Sequence, residues 1–179
     1  MAFALRLACF CLLLTSLASI GADWRATLPA AQRLGEGEFT WFGLRLYSAR
    51  LWAEGPLLDW GRPFALELAY HRSLSRDTLV KASIEEMRRL GAGSVTAQQL
   101  DAWTGEMQAA FVDVRPGMRI TGVYLPQAGC RFYVDGRLRR EVADAAFAKA
   151  FFAIWLDPRA RDPQLRQRLL GLAGNDRGP

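Results

Sequence analysis

The side chains of this sequence that could act as an acid, a base or a nucleophile are few and scattered. His71 is the single histidine of the chain, and it follows Tyr70 near the end of a predicted strand without a catalytic motif around it. Glu85 and Glu86 are adjacent on a predicted helix, where neighbouring positions do not face each other, so they do not predict a carboxylate pair. Glu67 is expected to face solvent. Spacing alone therefore predicts no acid–base site.

Cysteines and other metal ligands are equally sparse. Cys9 and Cys11 lie in the apolar N-terminal segment, which leaves Cys130 as the one cysteine of the remaining chain. One cysteine cannot form an internal disulfide, and Cys130 and His71 are too far apart in sequence to predict a zinc site. The sequence predicts no metal and no cofactor.

The basic residues do not form a nucleic-acid footprint. The chain carries a formal net charge of +5 at pH 7. Arginine clusters such as Arg88-Arg89 and Arg137-Leu138-Arg139-Arg140 have acidic residues nearby, which is typical of solvated surfaces. We predict no nucleic-acid partner, and the sequence identifies no protein partner. Weak attraction to anionic membrane surfaces, and with it peripheral membrane contact, stays open.

The first residues have the layout of an export signal. Arg6 precedes an apolar run from Leu7 to Leu14, and small residues follow it. This pattern predicts a signal peptide over residues 1–22, cleaved between Ala18 and Asp23, and a periplasmic or secreted protein. An uncleaved anchor is the alternative, but the apolar run is short for a bilayer span. The domain is predicted over 23–174, with a disordered tail over 175–179.

The elements that position these side chains follow from apolar periodicity. Their order is strands, two helices, three strands and two helices, which predicts an α+β domain with an antiparallel β-sheet and helices packed on one face. The helix around AAFAKAFFAIWL is apolar on nearly every side and is expected to be buried. Strands are predicted over 39–52, 64–72, 118–125, 130–134 and 138–142, with Asp135-Gly136 as a hairpin turn and with helices capped by Ser75, by Ser94 or Thr96, by Asp144 and by Asp162.

An ordered set of short segments resembles the bacterial chalcone isomerase-like proteins. The resemblance runs from about Leu34 to Gly171. It is carried by Gly35-Glu36-Gly37, FGLRLYSARLW, PFALELAYHR, PGMRITGVYLP, FYVDG, FAKAFFAIWL and LRQRLLG. The resemblance implies the chalcone isomerase fold, in which a pocket lies between a long antiparallel sheet and the helices that cover one of its faces.

The resemblance also implies where a site would lie. In the plant enzymes of this fold an arginine, two positions after a matching Gly-x-Gly, holds the substrate's phenolate, and the position that matches it here is Phe39. The threonine of the next strand corresponds to Ser48, and the tyrosine and asparagine of the helical region to Arg76 and Ser83. The cation of the enzymes is thus replaced by an apolar ring. The expected pocket residues are Phe39, Ser48, Tyr70, Ser83 and Phe151.

Three functions are consistent with these residues. The favoured one is an exported, non-catalytic protein that binds a small hydrophobic molecule such as a fatty acid, because relatives of this fold in plants bind fatty acids without isomerising them. The alternative is an intramolecular lyase or isomerase of the chalcone isomerase type with altered site residues around Ser48 and Tyr70. The third is a structural or interaction module with a fully packed core. A cavity beside Ser48 would distinguish the first two from the third.

Overall fold

The computed structural model describes residues 23–172, and it confirms the α+β architecture with an antiparallel sheet. The six strands pair in the order in which they occur along the chain, so each neighbour in the sheet is also the neighbour in sequence. The predicted signal peptide and the predicted tail lie outside the described residues. Strands are β1 Gln32–Trp41, β2 Leu44–Ala53, β3 Phe64–Tyr70, β4 Arg119–Leu125, β5 Gly129–Val134 and β6 Arg137–Val142, and helices are α1 Arg76–Leu90, α2 Ala97–Ala110, α3 Ala145–Leu156 and α4 Pro163–Leu169.

The region predicted as one strand over 39–52 is instead a hairpin. Phe42 and Gly43 form a two-residue turn in which both backbone φ angles are positive, at 47° and 75°. The same geometry joins β5 to β6 at Asp135 and Gly136, with φ of 46° and 78°, and there the sequence predicted it. Asn, Asp and Gly are the usual residues of such turns. A phenylalanine in the first position hid the β1–β2 turn from the sequence.

All four α-helices contribute to a core on one face of the sheet. Because successive side chains of a strand point to opposite faces, Ala49, Leu51 and Ala53 of β2 turn toward the helices and are buried. Helix α3 packs on β4 and β5 and also contacts α1 and α4. Its central position explains why it is apolar on nearly every side.

The opposite face of the sheet is also partly covered. Trp24, in a short 3₁₀ helix at Trp24–Ala26, packs with Leu28 against Ala65, Val123 and Tyr133 in a second apolar cluster. No helix within residues 23–172 is both long enough and apolar enough to cross a membrane.

Beside this cluster a polar row crosses four strands. The strand register places Glu36, Arg50, Glu67 and Thr121 side by side. Glu67 is 3% exposed, so the expectation that it faces solvent is wrong. Arg50 donates from Nη1 to Glu67 Oε1 at 3.1 Å and from Nε to Glu36 Oε2 at 3.2 Å. A buried carboxylate needs such a partner. Glu67 is buried because the segment around Trp24 covers this face of the sheet.

Helix α4 lies directly on the backbone of β1. A Cβ atom at Gly35 would come within 2.5 Å of Leu169 O, and one at Gly37 would lie 2.8 Å from the Leu165 side chain. Real Cβ atoms do not approach other atoms so closely, and at Gly35 the obstruction is the backbone of α4, so this glycine allows the helix to contact the strand. At Gly37 the nearest atoms belong to the side chains of Leu165 and Arg168, which pack against the bare backbone there. The Gly35-Glu36-Gly37 segment is therefore a packing requirement of the fold.

We expect Gly35→Ala to destabilise the protein by about 2–4 kcal/mol, because the added methyl group must displace α4 from β1. Gly105→Ala is the matched control, since no atom from outside its own stretch of helix backbone lies within 4 Å of the Cβ position at this glycine. That change should stabilise the protein by about 0.5–1 kcal/mol through helix propensity. Urea unfolding measures both changes. Equal effects of the two substitutions would contradict the close-packing argument.

Candidate ligand-binding site

A cavity of about 500 Å³ lies between the sheet and the helices. Its walls come from β1 to β4, from α1, and from the segment that runs from the end of α3 into α4. Most of the lining side chains are apolar, among them Leu68, Leu79, Phe111, Ile120 and Ile154. Its volume is in the range of roughly 300–1,000 Å³ that is usual for small-molecule pockets.

The sheet side of the cavity is a row of three aromatic rings on adjacent strands. The register pairs Phe39 of β1 with Tyr47 of β2, and Tyr47 with Tyr70 of β3. The Phe39 and Tyr47 rings stack with centroids 5.0 Å apart, and the Tyr47 and Tyr70 rings meet edge to face at 5.9 Å. All three line the cavity. Strand pairing alone thus forms one aromatic wall of the site.

The two tyrosines of this wall are neutral hydrogen-bonding groups. Burial raises the pKa of Tyr47 and of Tyr70 far above that of a free phenol, and nearby acidic groups raise that of Tyr47 further. Tyr47 Oη accepts a hydrogen bond from Trp155 Nε1 at 3.0 Å. The hydroxyl of Tyr70 has no hydrogen-bond partner among residues 23–172. Both groups remain protonated at neutral pH, so each retains a proton to donate to an acceptor in the cavity.

Charged side chains lie where the cavity approaches solvent. Arg161 lines the cavity with its side chain 53% exposed, and it forms an ion pair with Glu86, which also lines the cavity. Glu86 is bound a second time by Arg89 Nη2, at 2.7 Å. Asp162 caps α4 by accepting from Leu165 N at 2.8 Å. The cavity therefore combines an apolar interior with a charged rim, in which Arg161 is the cation and Glu85, Glu86 and Asp162 are the acidic groups.

The predicted site residues are only partly brought together. Phe39, Tyr70 and Ser83 line the cavity, and Ser83 Oγ donates to the carbonyl oxygen of Leu79 within its own helix. Ser48 is not among the lining residues. It is next to Tyr47 on β2, so it points to the other face of the sheet, where its hydroxyl is hydrogen-bonded to His71 Nε2 at 2.7 Å.

Phe151 also lies away from the cavity lining. Its ring is 4% exposed and contacts Phe111, Phe132, Phe147 and Trp155 in the core. The reason is its place on α3, where it faces the interior of the helix layer. Phe151 therefore supports the site from behind and is not among the residues that line the cavity.

Sequence reasoning missed three residues of the site. Tyr47 could have been found, because it is paired with the candidate Tyr70 and shares its face of the sheet. Trp155 was interpreted as core, since nothing in an apolar helix marks the position that borders a cavity. Arg161 was interpreted as a solvated arginine, and only the folded chain places it beside α1.

The arrangement favours binding over proton transfer. Both phenols in the cavity are held neutral by burial, so neither is a general base near neutral pH. His71 is engaged with Ser48, which lies on the opposite face of the sheet. The position that matches the arginine of the plant enzymes is Phe39, whose ring forms part of the aromatic wall. The cavity offers a bound molecule apolar surface, donated hydrogen bonds and, among the charged groups near its opening, the guanidinium of Arg161 beside the carboxylates of Glu85, Glu86 and Asp162.

Replacing Tyr70 by Phe should flatten the loss of stability at alkaline pH. In the wild type Tyr70 ionises only after unfolding, so the free energy of unfolding falls as pH rises above about 10 by roughly 1.4 kcal/mol per pH unit for this residue. The Tyr70→Phe variant has no phenol at this position, so its free energy of unfolding falls less steeply above about pH 10. Urea unfolding of both proteins at several pH values between 8 and 11.5 measures the difference, with the pH 8 values as the baseline. Parallel curves would contradict the burial of this phenol.

Comparison with known proteins agrees with the fold. A model of the family described as chalcone isomerase-like matches residues 54–171. A protein of Haemophilus influenzae, itself described only as uncharacterized, is 30% identical over 141 residues, which is 78% of this chain and 68% of that protein. The crystal structure of a fatty-acid binding protein of Arabidopsis thaliana superposes with a TM-score of 0.60, at 12% identity, over 79% of this chain and 87% of the other. The structural likeness shows a shared fold, and the match over most of the sequence shows that this chain belongs to the chalcone isomerase-like family.

Proposed function

We propose that this protein is an exported, non-catalytic carrier that binds a small hydrophobic molecule, such as a fatty acid, in the cavity between the sheet and α1. The observation that carries the proposal is a cavity of about 500 Å³ with a mostly apolar lining, two buried neutral phenols, and Arg161 among the charged side chains near its opening. The structural neighbour in Arabidopsis thaliana, a fatty-acid binding protein of the same fold, supports the proposal by analogy.

The apolar walls account for the hydrophobic part of such a ligand. Each methylene group moved from water to an apolar surrounding contributes about 0.8 kcal/mol. Leu68, Leu79, Ile120 and Ile154 provide that surrounding without polar atoms in their side chains. A hydrocarbon chain therefore gains binding free energy along its length, whereas a strongly polar molecule would lose its hydration in the same space.

Arg161 is the group that suits a carboxylate. Its partner Glu86 is held by Arg89 as well. Arg161 can thus turn from Glu86 to a ligand without leaving that carboxylate unpaired. A guanidinium forms strong paired hydrogen bonds to a carboxylate, and the exposed position lets the charged end of the ligand keep part of its hydration. The hydrocarbon end then occupies the interior, where the tyrosine hydroxyls are available to an oxygen atom along the chain.

A gently purified sample from an exporting bacterial host should carry a lipid-sized mass in native mass spectrometry, and the mass should disappear on denaturation. Ala82→Phe, which fills the cavity from α1, should lose the adduct. Ala102→Phe on α2 is the matched control, because both alanines are exposed helical residues and only Ala82 lines the cavity. The polypeptide mass tests export in the same spectrum: the chain should begin between Ala18 and Asp23.

A clean polypeptide mass together with no binding of added oleate would overturn the carrier proposal. Conversion of a chalcone to a flavanone, abolished by Ala82→Phe and retained by Ala102→Phe, would favour the isomerase instead. An intact N-terminus in the exporting host would contradict cleavage of a signal peptide and leave the binding result unaffected.

Arg161→Gln should weaken the binding of oleate about tenfold while leaving that of oleyl alcohol nearly unchanged, because only the acid has a charge for the guanidinium to meet. Arg140→Gln is the control, since Arg140 is similarly exposed and pairs with Glu106 away from the cavity. Calorimetric titration of the wild type and both variants with each of the two ligands measures the effect. An equal loss for acid and alcohol would show that Arg161 does not hold the carboxylate.

A further inference from the structure

The turn between β1 and β2 exposes an unusual amount of apolar surface. Trp41, Phe42 and Leu44 are 46%, 89% and 50% exposed, and they are three of the six large apolar side chains that are exposed within residues 23–172. The other three are scattered along the chain, whereas these three lie within four consecutive positions. We call residues 41–44 the hairpin tip.

Phe42 is a poor choice for the turn on grounds of stability. Its φ of 47° lies in the left-handed region, which is unfavourable for a bulky side chain and usual for Asn or Gly. Its ring gains almost nothing from burial, because it is 89% exposed. A strained backbone position that contributes no core packing indicates a role outside folding.

The hairpin tip is continuous with the cavity. Ring centroids step from Phe42 to Trp41 at 5.1 Å, from Trp41 to Phe39 at 6.3 Å and from Phe39 to Tyr47 at 5.0 Å. Trp41, Phe39 and Tyr47 line the cavity, and Trp41 is also half exposed at the tip. An unbroken aromatic path therefore joins Phe42, the most exposed aromatic ring within residues 23–172, to the interior of the proposed binding site.

Basic residues flank the hairpin tip. Arg45 follows Leu44 directly and is 63% exposed, although it pairs with Glu38. Arg72 lies next to this strand, since His71 N donates to Leu46 O at 2.8 Å, and Arg72 has no ion-pair partner among residues 23–172. The whole chain carries a formal charge of +5. Tryptophan and phenylalanine beside arginine are the residues that favour the boundary between anionic headgroups and acyl chains.

We propose that the hairpin tip inserts into the surface of a lipid bilayer with anionic headgroups and places the cavity against the membrane, so that an apolar ligand passes between acyl chains and cavity without crossing water. The transfer step rests on the proposed carrier function, whereas the docking itself does not. Insertion gives a reason for an exposed ring at a strained turn and for its continuity with the cavity wall.

Phe42→Asn separates docking from folding. It creates an Asn-Gly turn, so the variant should be at least as stable as the wild type toward urea. The variant lacks the aromatic ring that would insert into the bilayer, so its partition onto vesicles should fall about tenfold or more. Leu57→Asn is the matched control, because Leu57 is 66% exposed in the β2–β3 loop at the opposite end of these strands. Co-sedimentation with vesicles of phosphatidylglycerol and phosphatidylcholine in equal parts measures partition, and every variant carries the same N-terminal sequence.

Retained partition of Phe42→Asn would overturn the proposal. The proposal would also be overturned if the wild type did not bind vesicles and was a dimer, and if Phe42→Asn made it a monomer. A second copy of the chain would then cover the hairpin tip. Oleate uptake distinguishes the two proposals. If Phe42→Asn takes up oleate from vesicles more slowly than the wild type but binds oleate with the same affinity in vesicle-free solution, the result supports docking and transfer together. Vesicle partition that depends on Phe42, with no oleate binding in any protein, supports docking and counts against the carrier function.

Discussion

The alternation of side chains along the strands is the constraint on which the rest of this structure depends. On one face it collects the apolar residues that meet the helices, and near one end of the sheet it sets Phe39, Tyr47 and Tyr70 side by side as the wall of a cavity. On the other face the same alternation produces the row from Glu36 through Arg50 and Glu67 to Thr121. A change of one residue in register would exchange these two faces, so core, cavity and polar row are specified together.

Helix packing decides where along the sheet a cavity is left. Helix α3 fills the middle of the layer with phenylalanines that contact one another and the sheet. Helix α4 approaches β1 closely because Gly35 and Gly37 have no side chains. Between α1 and the segment that leads into α4, the contact is made by polar groups: Arg161 reaches Glu86, and Arg89 donates to the carbonyl oxygen of Arg159 at 3.0 Å. The space behind these groups is the candidate site.

Much of the fold could be predicted from the sequence, because helix caps, apolar periodicity and the Asp135-Gly136 turn are local signals. The β1–β2 turn could not, since Phe42 occupies a backbone conformation that its residue type disfavours. Ser48 was expected in the pocket, although it is adjacent to Tyr47 on the same strand and its side chain therefore points to the opposite face of the sheet. Phe151 illustrates a deeper limit: a helix that is apolar on nearly every side does not reveal which residues border a cavity. Arg161 could not be identified as a site residue from the sequence, because its position in the site depends on a contact between segments that are distant along the chain.

The order of the strands has a consequence for how the chain folds. Four of the five strand pairings join segments separated by a short connection, and only the pairing of β3 with β4 must close the long excursion over residues 71–118. Closing a loop costs conformational entropy before its contacts form, so this pairing is the natural barrier to folding. The bridge between Leu74 and Val114 shortens the excursion near its base. We therefore expect two three-stranded halves to form early and to join late, along a seam at which Glu67 meets Thr121.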